Sequence, residues 1–188
     1  MSADKVIQLA HGGGGRLTRE LIESEIMPRF GNGPLRGLPD GATLPSPGKR
    51  LVFTTDSFVV QPLEFPGGNI GHLAVHGTVN DLAVCGGEPK WLSLALILEE
   101  GLPFSLLGRV LDAVRAAADA CGVTVATGDT KVVARGQGDG LYVNTAGIGL
   151  ALPEFVLGRE RICEGDCVLV NGTLGDHGLA VLSARQNL

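Results

Sequence analysis

Between residues 50 and 152 apolar strand patterns alternate with helical ones, and this alternation limits the possible folds more than anything else in the chain. "RLVFTTDSFVVQPL" reads as a strand, mostly apolar on both faces and therefore central or covered. "FPGGNIG" is a loop into the helix "HLAVHGTVNDLAVCGG", which ends at paired glycines followed by Pro89. "KWLSLALILEE" is a second strong strand. In "PFSLLGRVLDAVRAAADACG", Leu106, Leu107, Val110, Leu111 and Val114 recur at helical spacing, and Gly122 stops the helix. "VTVAT" is a third strand, with Asp129 at its end, and "LYVNTAGIGLA" a fourth. The order strand, helix, strand, helix, strand, strand predicts an α/β (α+β) fold, a sheet with helices on one face.

The flanks are less regular. "KVIQLAHGGGGRLTRELIESEIMPRF" has a short apolar stretch, four glycines, and then Leu17, Leu21, Ile22 and Ile26 on one side of a helical pattern. Residues 31–50 are rich in Gly and Pro and read as a loop. From Pro153 the register changes. "CEGDCVLVNGTLGDHGLAVLSARQNL" reads as a new strand, a Gly-rich turn and the first turns of a helix. A strand and part of a helix cannot bury a core alone. The expected organisation is an N-terminal domain over 1–152 and the beginning of a truncated second domain over 153–188. Docking of the second piece on the first is the alternative.

With 44% apolar residues the chain can bury a core, and its net charge of -5 with no basic cluster argues against a nucleic-acid surface. No apolar run approaches the ~20 residues that span a bilayer, and "MSADKVIQLAHGGGG" has no h-region of a signal peptide. A cytoplasmic location is expected, with Cys85, Cys121, Cys163 and Cys167 reduced. "CEGDC" lacks the further ligands a zinc site needs.

Three aspartates stand in apolar company: Asp56 in "VFTTDSFVV", Asp81 in "VNDLAV" and Asp129 after "VTVATG". A carboxylate withdrawn from water is costly unless it is paired or binds a metal. Strand ends at one edge of a sheet are a common ligand site, and oxygen-only donors suit Mg2+ with phosphate oxygens and waters. Each acid also has a plain structural reading, as a turn residue or a solvated helix position. Lys131, two residues after Asp129, is a compact charge suited to phosphate, or else a solvated partner for a surface acid. The run Gly12, Gly13, Gly14, Gly15 ahead of a helix can cradle an anion through its N–H groups. It matches neither a P-loop nor G-x-G-x-x-G, and a flexible entry segment or a lid would look the same. His72 and His76 lie four apart on one helix without an evident third ligand. His11 borders the glycine run and can touch phosphate. Asp176 and His177 sit in "GTLGDHG", either another wall of the same site or a tight turn.

"QLAHGGGGRLTRELIE", "FPGGNIG", "VNDLAVCGGEPKWLSLALILEEGLP", "GDTKVV" and "NGTLGDHG" together resemble the HypE hydrogenase maturation factors, in order and over essentially the whole chain. These belong to the ATP-using superfamily of aminoimidazole ribonucleotide synthetase. The resemblance implies an N-terminal domain with a mixed sheet backed by helices, and a barrel-like homodimer with the nucleotide near the junction. It implies ATP-dependent dehydration of an S-carboxamide, on a cysteine at the protein's extreme C-terminus, to an S-cyanate that supplies cyanide to [NiFe] hydrogenase iron. The HypF carbamoyltransferase and the HypC–HypD scaffold are the implied partners. By analogy Asp56, Asp81 and Asp129 hold Mg2+ on ATP. Lys131, Thr130 and the Gly12–Gly15 run hold phosphates, Lys131, Asp81 and His177 act in catalysis, and Asp176 binds the nucleotide, with Asp176 and His177 approaching from the second domain. The chain ends in "SARQNL" and has no terminal cysteine, so by itself it is expected to be incompetent in that reaction. A different kinase or synthetase of the superfamily, or a non-catalytic dimerisation fragment, is the alternative.

Overall fold

The structure is a computed structural model that describes residues 15–26, 42–44, 48, 50–155 and 157–186. The chain divides into two compact units, Met1–Pro39 and Asp40–Leu188. In the first, helix α1 (Arg16–Leu21) continues as a wider π-type turn over Ile22–Ile26. Arg16 pairs with Glu20 and Arg19 with Glu23, one turn apart on its surface.

The second unit is built on a five-stranded sheet in the order β1-β2-β7-β5-β6. Its strands are β1 (Ala42–Leu44), β2 (Leu51–Phe58), β5 (Gly87–Glu99), β6 (Thr124–Val133) and β7 (Leu141–Ala151). All neighbours are antiparallel except β5 and β6, which run parallel. A parallel pair needs a crossover, and helix α3 (Phe104–Cys121) supplies it. A two-stranded hairpin, β3 (Glu64–Phe65) and β4 (Gly68–Asn69), leads into helix α2 (Ile70–Val84). The expected mixed sheet backed by helices is therefore what forms.

The helices lie on one face because their apolar stripes meet the alternate residues of the strands. Val75 of α2 and Val114, Ala117 and Ala118 of α3 bury Leu92, while Ile70, Ala74 and Val110 cover Leu96, Leu141 and Val143. Asn69 caps α2, its side chain accepting from the N–H groups of Gly71 and His72, and the ring of His72 accepts from Asn69 N–H in return. Helix α3 stops at Gly122, whose φ of 65° is left-handed. Arg109 on α3 grips both oxygens of Glu64 at 2.8 and 2.7 Å and ties the hairpin to the helix.

Helices α2 and α3 approach closely at Gly71, where an added methyl would run into the Val110 carbonyl. Gly71→Ala is expected to destabilise the fold by about 2 kcal/mol, the usual cost of overpacking. Gly108, inside α3 with open space around it, is the contrast: Gly108→Ala should stabilise by about 1 kcal/mol through helix propensity. Urea unfolding of both variants checks the pair, and equal midpoints would contradict the close contact.

Three expectations need correction. Residues 42–44, expected in a loop, form strand β1, because the edge of β2 offers them a partner at Leu51–Phe53. Asp129 does not end its strand. Strand β6 runs on through "GDTKVV", because the 13-residue β5 offers it a ladder from Trp91 to Glu99 and Thr130, Val132 and Val133 are β-branched. The strand expected near Cys167 does not form a ladder either. Val168 is 94% exposed and "VLV" has no strand partner among the described residues. Beyond it helix α4 (Asp176–Gln186) returns to the sheet domain. Val181 joins the core around Val60 and Leu63, and Arg185 Nε donates to the Gln61 carbonyl at 2.6 Å.

Candidate functional site

Strand β2 presents Val52, Thr54, Asp56 and Phe58 to the helices, since alternate residues of a strand share a face. Helix α2 runs back along it. Asp56 and Phe58 lie against Gly77, Thr54 against Asp81, and Val52 against Leu82. The lack of a side chain at Gly77 makes room for the Phe58 ring and the Asp56 carboxylate, whose Oδ2 would lie 3.5 Å from a Cβ there. Asp81 follows Gly77 by one helical turn. Asp56 and Asp81 thus stand in the same sheet–helix layer, each partly buried.

Their hydrogen bonds differ. Thr54 is 4% exposed, and its hydroxyl donates to Asp81 Oδ2 at 3.1 Å. Asp56 Oδ1 accepts the Ser57 N–H at 3.1 Å, and its backbone carbonyl accepts from Asn144 Nδ2 at 2.9 Å. Beside them, the buried hydroxyls of Thr78 on α2 and Thr145 on β7 meet at 2.5 Å. Sequence patterns single out the acids but pass over Thr54. The available signal was its place two residues before Asp56 and so on the same face.

Asp129 and Lys131 lie on the other side of the sheet. In β6 they stand opposite Ala95 and Ile97, on the face away from α2 and α3, while Thr130 stands opposite Leu96 on the side of those helices. Strands β7 and β5 separate them from β2. Lys131 Nζ donates to Asp129 Oδ1 at 3.2 Å. That bond, with the Thr130 N–H, holds the Asp129 carboxyl below the usual carboxylate range. Charged side chains on an edge strand also deter pairing with another chain, a structural use for the same residues.

The remaining candidates scatter. Asp176 starts α4 and accepts from the Thr173 hydroxyl at 2.5 Å, and the ring of His177 packs edge-on to Phe65, 5.3 Å between centroids. Gly15 precedes α1 in extended backbone. Gly12, Gly13, Gly14 and His11 lie outside the described residues. His72 is used in the cap of α2, and His76 Nδ1 lies 3.5 Å from Cys121 Sγ. Among the described residues no three His, Cys, Asp or Glu side chains converge on one point. Asp56 and Asp81 are brought to one layer in a single chain, and Asp129 is not.

Two carboxylates are nevertheless what Mg2+ commonly takes from a protein when phosphate oxygens and water complete its shell. The Asp56–Asp81 layer, with a hydroxyl bonded to one acid, fits that donor set.

Residues 39–151 match the family model of the AIR synthase related protein, N-terminal domain. The chain belongs to the AIR synthase-related family. Within this family it is similar to a carbamoyl dehydratase HypE of Rhizobium leguminosarum bv. viciae, 50% identical over 182 residues that make up 97% of this chain and 52% of the relative. Among solved structures it resembles the HypE-HypF complex (TM-score 0.83, 45% identity, 89% of this chain and 54% of that one). It also resembles HypE in complex with ATP (TM-score 0.73, 46% identity, 97% and 54%). The expected resemblance to HypE holds, and the chain spans about half the length of the curated relatives it matches. None of the described helices is long and apolar enough to cross a membrane.

Proposed function

We propose that this chain is the ATP-binding part of a protein that dehydrates an S-carboxamide on its own C-terminal cysteine to an S-cyanate, the source of cyanide for [NiFe] hydrogenase iron. The observation that carries the reading is the Asp56–Asp81 layer between β2 and α2, in a chain half identical to a carbamoyl dehydratase. The solved HypE complex with ATP supports the nucleotide, and the HypE-HypF complex supports HypF as partner. The HypC–HypD scaffold and a cytoplasmic setting complete the reading.

On this reading Asp56 and Asp81 hold Mg2+. ATP supplies a phosphoryl group that turns the carboxamide oxygen into a good leaving group. The Gly12–Gly15 run offers backbone N–H groups to phosphates, and Lys131 and Thr130 are assigned to phosphates from opposite faces of β6. Asp176 and His177 approach it from the region of 153–188, the beginning of a second domain. Asp129 and Lys131 occupy the sheet face opposite α2 and α3, so their part is played at the junction of two copies whose sheets pair into a barrel. Asp129, as a third metal ligand, belongs to that junction.

Calorimetric titration with a non-hydrolysable ATP analogue tests this. Binding is expected to strengthen at least ~10-fold when Mg2+ is added, since one or two carboxylates engage phosphates through the ion. A folded chain that binds the analogue equally with and without Mg2+, or not at all, would remove the metal–nucleotide assignment.

A further inference from the structure

We infer that Thr54 is a positioning residue for the Asp81 carboxylate, tuning how that acid meets a divalent cation. The inference rests on the reading of Asp81 as a metal ligand and adds a residue that this reading does not contain. Three observations carry it. Thr54 is almost wholly buried, and its hydroxyl donates to Asp81 Oδ2 at 3.1 Å. Its neighbours on the same face of β2 are Val52, fully buried, and Asp56. Opposite it in β7 stands Gly147, whose own space is taken by Thr78, Leu82 and Leu92.

At such a position a valine would have the same shape and no hydroxyl to desolvate. A buried hydroxyl costs free energy unless it is bonded, and a lost bond between two groups that can both be apolar is nearly neutral. Asp81 is only partly buried, so water can reach its layer, and solvation alone does not require a threonine. The hydroxyl does what water cannot: it comes from a rigid strand and fixes the rotation of the carboxylate. Groups that orient metal ligands commonly change metal affinity by ~10–100-fold. Because Thr54 and Asp56 stand on one strand two residues apart, the same strand sets both acids.

The experiment is an Mg2+ titration of the whole chain at fixed non-hydrolysable ATP analogue, read by calorimetry. It compares Thr54→Val, Thr54→Ser, Thr145→Val and Asp81→Asn. Thr54→Val is expected to raise the Mg2+ concentration for half-saturation by ~10-fold or more, with metal-free analogue binding unmoved. Thr54→Ser, which keeps the hydroxyl, should restore it to within about twofold. Thr145→Val removes a buried hydroxyl of the same layer that bonds Thr78 and Ala74, and should not move the Mg2+ midpoint. If Thr54→Val shifts the midpoint no more than Thr145→Val, or if serine fails to rescue it, Thr54 is a structural residue and the inference falls. If Asp81→Asn has no effect on Mg2+ dependence, or the unsubstituted chain shows none, the reading of Asp81 falls and takes the inference with it. Melting curves without metal separate either result from misfolding.

Discussion

Asp81→Asn is expected to weaken Mg2+-dependent nucleotide binding by roughly 100-fold or more while leaving the chain folded. The loss should exceed the ~10–100-fold that attends loss of a group merely supporting a ligand, because the substitution removes a donor charge itself. Asparagine keeps the shape of the side chain, and its carbonyl oxygen can still accept the Thr54 hydroxyl that now bonds Oδ2. The packing of α2 on β2 should therefore survive, and the melting temperature should stay within a few degrees. Metal-free binding of a non-hydrolysable ATP analogue is the internal control, since it does not call on this carboxylate. Asp56→Asn should behave similarly but less cleanly, because the Asp56 carboxylate also accepts the Ser57 N–H. An Asp81→Asn chain with wild-type Mg2+ dependence would place the cation elsewhere.

Much of this fold can be read from residue periodicity, and most of the site cannot. The helix at Phe104–Cys121 announces itself through Leu106, Val110 and Val114, and its stop through Gly122, because a 3.6-residue period and a left-handed cap are local properties. Helix α2 is also local, set by the Asn69 cap. The extent of β6 is not. "GDT" looks like a turn by composition, and the ladder offered by its long neighbour β5 keeps it extended. The face on which a strand residue falls is equally non-local. Asp56 comes directly after Thr54 and Thr55, and Asp129 after Thr127 and Gly128, yet register with Thr145 puts the first under α2 and register with Ala95 puts the second on the opposite face. A one-residue change of register would exchange those positions. Sequence patterns thus name the acids, while strand pairing decides on which side of the sheet each one lies.

If two copies pair their sheets as proposed, Trp91→Glu is expected to convert that dimer into a monomer. The sheet face away from the helices carries Phe53 on β2, Ile148 on β7 and Trp91 on β5 in a row, because Ile148 is the register partner of both aromatics. Trp91 is 45% exposed and Phe53 38%, and Ile97 lies further along the same face at 42%. An apolar row across three adjacent strands is the kind of surface that a second layer covers. A second copy of the same sheet offers the complement, since a two-fold interface brings one patch against itself. A glutamate at the centre of such an interface loses an aromatic anchor and buries an unpaired charge. The expected cost is about 3 kcal/mol, which is roughly 100-fold in the dimer dissociation constant. Leu111→Glu is the matched control, placing the same charge at a partly exposed position of α3, on the helix side, and it should leave the dimer intact. Sedimentation equilibrium over a range of concentrations reads both, with circular dichroism confirming the fold. If the unsubstituted chain is monomeric at tens of micromolar, or if Trp91→Glu and Leu111→Glu behave alike, the bare sheet face is not the contact, and Asp129 and Lys131 lose the junction at which they would serve the nucleotide.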